Sequence, residues 1–293
     1  MKASLAEMLW ISVRPKHWIK NTLLFAALVF ARELGDMTLL ARAVAAFVVF
    51  CMLASASYLI NDVLDRQGDR IHPMKGSRPV ADGRLGAGTA LAVAVLLAVA
   101  GLWAASTLGR AFAMVAAVFV VTHLLYSAFL QHVVIVDVFA LAANYVLRVA
   151  AGAVVVNVPM SPWLVICTLL LSLFLGLSAR SLDFKLLGEH AGAHRRSLAQ
   201  YNPYLLDQMI AVITSAILIT YTLYTIAPET AAKFETDKLV LTVPFVLYGI
   251  FRYLYLLHRG DQRLSIERAL VADRPMLVNA ALYTLTIVLI VYV

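Results

Sequence analysis

Charge is what this sequence has little of: Asp, Glu, Lys and Arg make up 14% of its 293 residues, while 62% are hydrophobic. A mean hydropathy of +0.85 means more apolar surface than a soluble domain of this length can bury, so the chain is expected to lie in a membrane. Cysteine is nearly absent. Cys51 and Cys167 both sit inside apolar runs, where they behave as small hydrophobes, which excludes a disulfide framework and a cysteine-based metal site. The opening MKASLAEMLW lacks an apolar stretch followed by a small-residue cleavage site, so removal of a signal peptide is not expected. Barrel-length segments are not what fills the sequence either. Its apolar runs are about 17–25 residues long, which is helix length for a bilayer.

What is present predicts an all-α polytopic membrane protein, a single integral-membrane domain over residues 1–293. Its nine transmembrane helices are expected at about 19–31, 38–60, 89–107, 110–129, 133–155, 163–181, 206–227 and 239–258, and from about 275 to the end of the sequence. Residues 1–18, with Trp10, Trp18 and a basic RPKH stretch, suit an interfacial entry segment. Three polar loops, about 61–88, 181–205 and 259–275, carry most of the Lys and Arg together with that entry. The positive-inside bias therefore predicts a cytoplasmic N-terminus and a cytoplasmic polar cap. The same bias accounts for the net charge of +7, and no nucleic-acid footprint is expected. The first two polar loops each follow an even-numbered span, a hint of duplicated helical units.

The most informative stretch runs from Asn61 to Arg78, NDVLDRQGDRIHPMKGSR. If the preceding helix continues for two turns, Asn61, Asp65 and Asp69 recur at i, i+4 and i+8 and stack on one face. Asp62, Asp65 and Asp69 repel one another, at about 0.2–0.5 kcal/mol per like-charged pair, so a cation should offset them. Mg2+, held by one or two carboxylates and completed by water and phosphate oxygens, suits that place, with Arg70, Lys75 and Arg78 for the remaining phosphate charge. The alternative is a solvated loop that merely obeys the positive-inside bias. In the fifth span, Asp137 and Arg148 sit at membrane depth, where ionisable groups usually line an interior or cavity; Asn144 is placed to orient Arg148, and Tyr126 and His123 in the fourth span to face the same cavity. The alternative there is a helix cap for Asp137 and a snorkelling Arg148. The second polar loop offers Arg180 and Lys185 for phosphate, Asp183 for a metal or a sugar hydroxyl, and Glu189 as the next acid, while Arg195 and Arg196 suit anionic headgroups equally well. Lys16, Lys20 and Asn21 are further phosphate candidates.

The N-D-x-x-D-x-x-x-D pattern from Asn61 to Asp69, followed by Arg78-Pro79 and set after the second of nine predicted helices, resembles the first signature of the UbiA prenyltransferase superfamily. The resemblance covers nearly the whole chain. It implies a UbiA-like bundle in which Asn61, Asp65 and Asp69 hold Mg-diphosphate and Asp183 joins the catalytic set. RPKHWIKN, DRIHPMKGSRPVADG, HRRSLAQY and DRP are similar to the branch of that superfamily that works on phosphoribosyl groups. That branch implies transfer from phosphoribosyl diphosphate (PRPP) to a polyprenyl phosphate such as decaprenyl phosphate, with release of diphosphate, at the inner membrane of a bacterium. An ionised lipid phosphate needs no general base, and none is assigned. The second motif departs from the usual D-x-x-x-D, since position 187 is Leu and the next acid is Glu189, which puts a second metal site in doubt. Two rivals stand beside this reading: an aromatic prenyltransferase using a prenyl diphosphate, and a secondary transporter.

Overall fold

The computed structural model describes residues 4–187, 196–259 and 273–292, and among these every regular element is helical. Among the described residues eight helices are long and apolar enough to cross a membrane, and they occupy the places of the second to ninth expected spans. The first expected span takes another form: a 3-10 helix, Pro15–Phe25, runs into the short α2, Ala26–Phe30. The chain divides into two compact units, one of the residues up to Ser161 with Leu187–Tyr201, the other Pro162–Leu186 with the residues from Asn202 on.

In the first unit, α1 (Leu5–Val13) starts at Ser4, whose hydroxyl accepts the Glu7 N–H, and stops at Arg14 in the left-handed region. The long α3 (Met37–Leu64) is opened by Asp36, which accepts from the Thr38 and Leu39 N–H groups at 2.7 and 3.0 Å. It is followed by the short α4 (Arg66–Ile71), then α5 (Ala87–Leu108), α6 (Arg110–Ala128) and α7 (Val136–Val155), with Gly109 at φ 129° making the tight α5–α6 turn. Helix α3 is the hub and packs on α1, α5, α6, α7 and the 3-10 segment. Its Phe50 packs against Phe112 and Phe119 of α6 in tilted pairs, with ring centroids 5.8 and 4.8 Å apart. Near its start, Arg42 donates to the carbonyls of Val155 (2.9 Å) and Leu108 (3.2 Å), which satisfies carbonyls at the C-terminal ends of α7 and α5 with a cation. Those ends gather where α3 begins, so the C-terminal end of α3 meets the end of α6 and the start of α7.

The 3-10 segment has a packing reason. A Cβ on Gly152 of α7 would lie 2.0 Å from the Leu24 carbonyl oxygen, so the two backbones touch, and the narrower 3-10 winding brings Leu24 into that contact. Leu24 and Leu28 are fully buried there.

The second unit holds α8 (Pro162–Leu187), α9 (Pro203–Ile226), α10 (Pro228–Phe234), a 3-10 turn Lys238–Thr242, α11 (Val243–His258) and α12 (Arg274–Tyr292). Helix α11 packs on α9 and α12, and Phe174 of α8 meets Tyr253 of α11 at 5.3 Å. Asp273 opens α12 by accepting the Met276 N–H at 2.9 Å, and two donors of Arg252 bind its carboxylate, which holds it below the usual carboxylate range.

Gly152→Ala is expected to lower the thermal unfolding temperature of the purified protein in detergent by at least the amount that corresponds to an overpacking cost of about 1–3 kcal/mol. Gly101→Ala, whose Cβ would meet side-chain atoms alone, the nearest being Leu53 Cδ2 at 2.6 Å, should lower it less. Equal shifts would show that α7 does not need that close approach.

Candidate active site

The helical turns at the end of α3 carry on through the junction with α4. The Asp65 N–H donates to the Asn61 carbonyl and the Asp69 N–H to the Asp65 carbonyl, each at 2.8 Å, so the stack of Asn61, Asp65 and Asp69 on one side follows from the backbone. Asn61 Nδ2 donates to Asp65 Oδ2 at 3.0 Å and to Ser127 Oγ at 3.2 Å. On the other carboxylate oxygen, Gln131 Nε2 donates to Asp65 Oδ1 at 2.8 Å. Asp65 is thus gripped by an amide on each side.

The other two acids of the cluster are held by guanidinium groups. Asp62, about 100° round the helix from Asn61, is 1% exposed and accepts from both Arg14 and Arg78, the latter at 3.2 Å. Arg78 spans the cluster: the same Nη1 donates to Asp69 Oδ2 at 2.6 Å. Burial lowers its pKa and the nearby charge of Arg14 acts the same way, against the pull of Asp62 and Asp69. Arg14 also lies over the Tyr58 ring at 5.0 Å. Asp69 is 1% exposed, and its second oxygen, Oδ1, is buried with no hydrogen-bond partner among the described residues.

That orphaned carboxylate oxygen is the observation on which a cation can be judged. A buried anionic acceptor without a donor is costly, and a cation would satisfy it. Among the described residues no three of His, Cys, Asp and Glu converge to hold a metal by themselves. The donor set available, two carboxylates and an amide, suits Mg2+, which keeps water and phosphate oxygens in its octahedron, and does not suit an all-protein zinc or calcium cage.

The remaining sequence candidates are spread more widely. Arg70 is exposed and braces the following loop through the Ala81 carbonyl at 2.8 Å, while Lys75 is half-buried. On the 3-10 segment, Lys16 is exposed and Lys20 half-buried. Asn21 and Arg148, expected at a ligand, are turned toward each other: Arg148 Nε donates to Asn21 Oδ1 and Nη1 to the Asn144 carbonyl, both at 2.8 Å, between the rings of Phe119 and Tyr145. The guanidinium is buried and neither snorkels nor meets Asp137. Asp137, fully buried at the start of α7, accepts the Tyr201 hydroxyl at 2.8 Å. Tyr126 is buried in α6. In the second unit, buried Arg180 stands 3.7 Å from Asp183, and Lys185 donates to the Leu257 carbonyl at 3.3 Å, at the last turn of α11. Glu189 and Arg195 lie outside the described residues.

Sequence reasoning did not single out Arg14, Ser127 or Gln131. Arg14 had a signal, since it opens the RPKHWIKN stretch; Gln131 had none, because its partner Asp65 is 66 residues away.

These features define a class, a multi-pass helical membrane protein with carboxylates and guanidinium groups gathered at one end of a bundle. The chain belongs to the UbiA prenyltransferase family, a family of enzymes, which it matches over residues 22–274. Two curated relatives are decaprenyl-phosphate phosphoribosyltransferases. That of Corynebacterium glutamicum is 33% identical over 99% of this chain and 88% of its own length, and that of Mycolicibacterium smegmatis 34% identical over 83% of this chain and 79% of its own. A UbiA homologue from Archaeoglobus fulgidus, solved bound to GPP and Mg2+, shares the fold: TM-score 0.71 over 98% of this chain and 100% of that one, at 17% identity.

Removing Arg78 leaves Asp62 and Asp69 buried with less countercharge. Arg78→Ala is expected to destabilise the first unit by about 3–5 kcal/mol, seen as a lower unfolding temperature in detergent. Arg78→Lys, with one ammonium in place of a fork, should recover part of the loss. An unchanged unfolding temperature in Arg78→Ala would mean the cluster tolerates its own charge.

Proposed function

We propose that the protein transfers the 5-phosphoribosyl group of PRPP to the phosphate of a membrane polyprenyl phosphate and releases diphosphate. The observation that carries this choice over prenyl transfer to an aromatic acid is the match, over nearly the whole chain, to relatives named for that phosphoribosyl transfer. A phosphate oxygen of the lipid attacks C1 of the ribose. The bond from C1 to the diphosphate oxygen breaks, and the diphosphate leaves with the electron pair. No proton has to move, so the site needs charge stabilisation and alignment and does not need a base.

Asn61, Asp65 and Asp69 would hold Mg2+, which when bound neutralises the departing diphosphate. Arg78 and Lys75 are placed by sequence and charge to take the diphosphate oxygens, Lys16 and Lys20 to take another phosphate. On the resemblance alone, Asp183 and Arg180 serve sugar and phosphate recognition. Asp62, clasped by Arg14 and Arg78, serves by fixing Arg78. The same reading sets the chain in a bacterial inner membrane with its polar end in the cytoplasm, where PRPP is available.

Purified protein incubated with Mg2+, PRPP and decaprenyl phosphate should release pyrophosphate and form a phosphoribosylated lipid detectable by mass spectrometry; excess EDTA should stop both. Asp65→Ala should cut turnover by well over tenfold, more than about 1.4 kcal/mol of lost stabilisation, while the protein stays folded. Turnover with a prenyl diphosphate and an aromatic acid, and none with PRPP, would favour the aromatic prenyltransferase. Substrate counterflow in proteoliposomes without chemistry would favour a transporter.

A further inference from the structure

The corner between α6 and α7 carries Gln131, and three observations show it built to hold that side chain on Asp65. First, Gln131 is 1% exposed and uses one amide nitrogen twice, on Asp65 Oδ1 at 2.8 Å and on the Ser127 carbonyl at 2.7 Å. Its Oε1 is buried with no hydrogen-bond partner among the described residues. The reverse amide orientation would face that oxygen to the Asp65 carboxylate and the Ser127 carbonyl, so the arrangement is set by these two acceptors together. An apolar side chain would fill the place without leaving an acceptor unmet, which makes a purely space-filling role a poor account of a glutamine here.

Second, the backbone of the same residue is held from a distant segment: Ser197 Oγ donates to the Gln131 carbonyl at 2.8 Å. Third, the corner contains a γ-turn. The Val136 N–H donates to the Val134 carbonyl at 2.8 Å, which puts Ile135, a β-branched residue, at φ 69° and ψ −48°. Tyr201 pins this strained point. Its hydroxyl accepts the Ile135 N–H and donates to Asp137 Oδ1, both at 2.8 Å.

We propose that Gln131 is a positioning residue for Asp65, and that Ser197 and Tyr201 hold the corner that presents it. Amide donors on both oxygens of Asp65, Asn61 Nδ2 on one and Gln131 Nε2 on the other, fix its rotamer and plane. This gives SLAQY, Ser197 to Tyr201, a task within the first unit, at a carboxylate far from it in sequence. The inference rests on the metal role proposed for Asp65.

The test uses Mn2+ as a spectroscopic probe in place of Mg2+. Electron paramagnetic resonance titration of the purified full chain with inorganic pyrophosphate present gives the Mn2+ dissociation constant, without PRPP or lipid. Gln131→Leu should raise it about tenfold, whereas turnover at saturating Mg2+ stays within about threefold of wild type. Tyr201→Phe and Ser197→Ala should raise it less, in the same direction, and they decide the matter if Gln131→Leu fails to fold. Constants within twofold of wild type in every folded variant would overturn the proposal, as would turnover lost equally at all metal concentrations. Wild type that binds Mn2+ through Asp65, shown by loss in Asp65→Ala, but does not turn over PRPP would sink the proposed reaction and leave the Gln131 result standing.

Discussion

Two carboxylates buried at the end of a membrane helix have to be balanced, and here Arg78 does so for both at once. Asp62 and Asp69 are each 1% exposed, and one nitrogen of Arg78 reaches them at 3.2 and 2.6 Å. Arg14 closes the set from the end of α1. Four stretches of chain are tied by these contacts: α1, the end of α3, α4 and the loop after it. Buried ion pairs of this kind add little net stability compared with apolar packing, but breaking one leaves a charge stranded. Their effect is therefore on uniqueness of arrangement. They settle where the loop after α4 lies, and with it which way Asp69 points.

Much of the fold was legible because its physics is local. A bilayer demands long apolar helices, and runs of that length marked eight of them to within a few residues. The exception was the segment before α2. Its 3-10 winding answers to Gly152, far along the chain, whose missing side chain lets Leu24 come close, and no pattern within Pro15–Phe25 announces that. The candidate site divides along the same line. The i, i+4 spacing of Asn61 and Asp65 was readable and corresponds to a 3.0 Å side-chain hydrogen bond. The guanidinium and amide groups around the acids come from positions 14, 78, 127 and 131, brought there by packing. Asp62 shows the limit of spacing arguments most directly. One residue from Asn61, it faces another side of the helix, and its surroundings are arginines of its own chain.

Arg148 extends this to the membrane interior. An arginine at that depth is costly, and the sequence could say only that something must compensate it. The compensation is an amide oxygen, a backbone carbonyl and two aromatic faces. These contacts lie beside the Gly152 and Leu24 approach, on the same helix and the same 3-10 segment. Arg148 thus helps to seat the segment that bears Lys16 and Lys20.

The different partners of the three acids have a chemical sense. A guanidinium orients a carboxylate and cancels its charge; an amide orients it and leaves the charge in place. Asp65, held by Asn61 and Gln131, keeps a fixed direction, while Asp62 and Asp69 share Arg78. Were Asp69 to hold a cation as proposed, the cation would take the place of Arg78 on its carboxylate, and donors of Arg78 would be left for phosphate while Asp62 kept the arginine in place. The cation would offset part of the polyanion's charge and Arg78 a further part, which would limit the cost of admitting a diphosphate into a partly desolvated site. A reaction that departs with a diphosphate and moves no proton requires that kind of balance more than it requires an acid or a base.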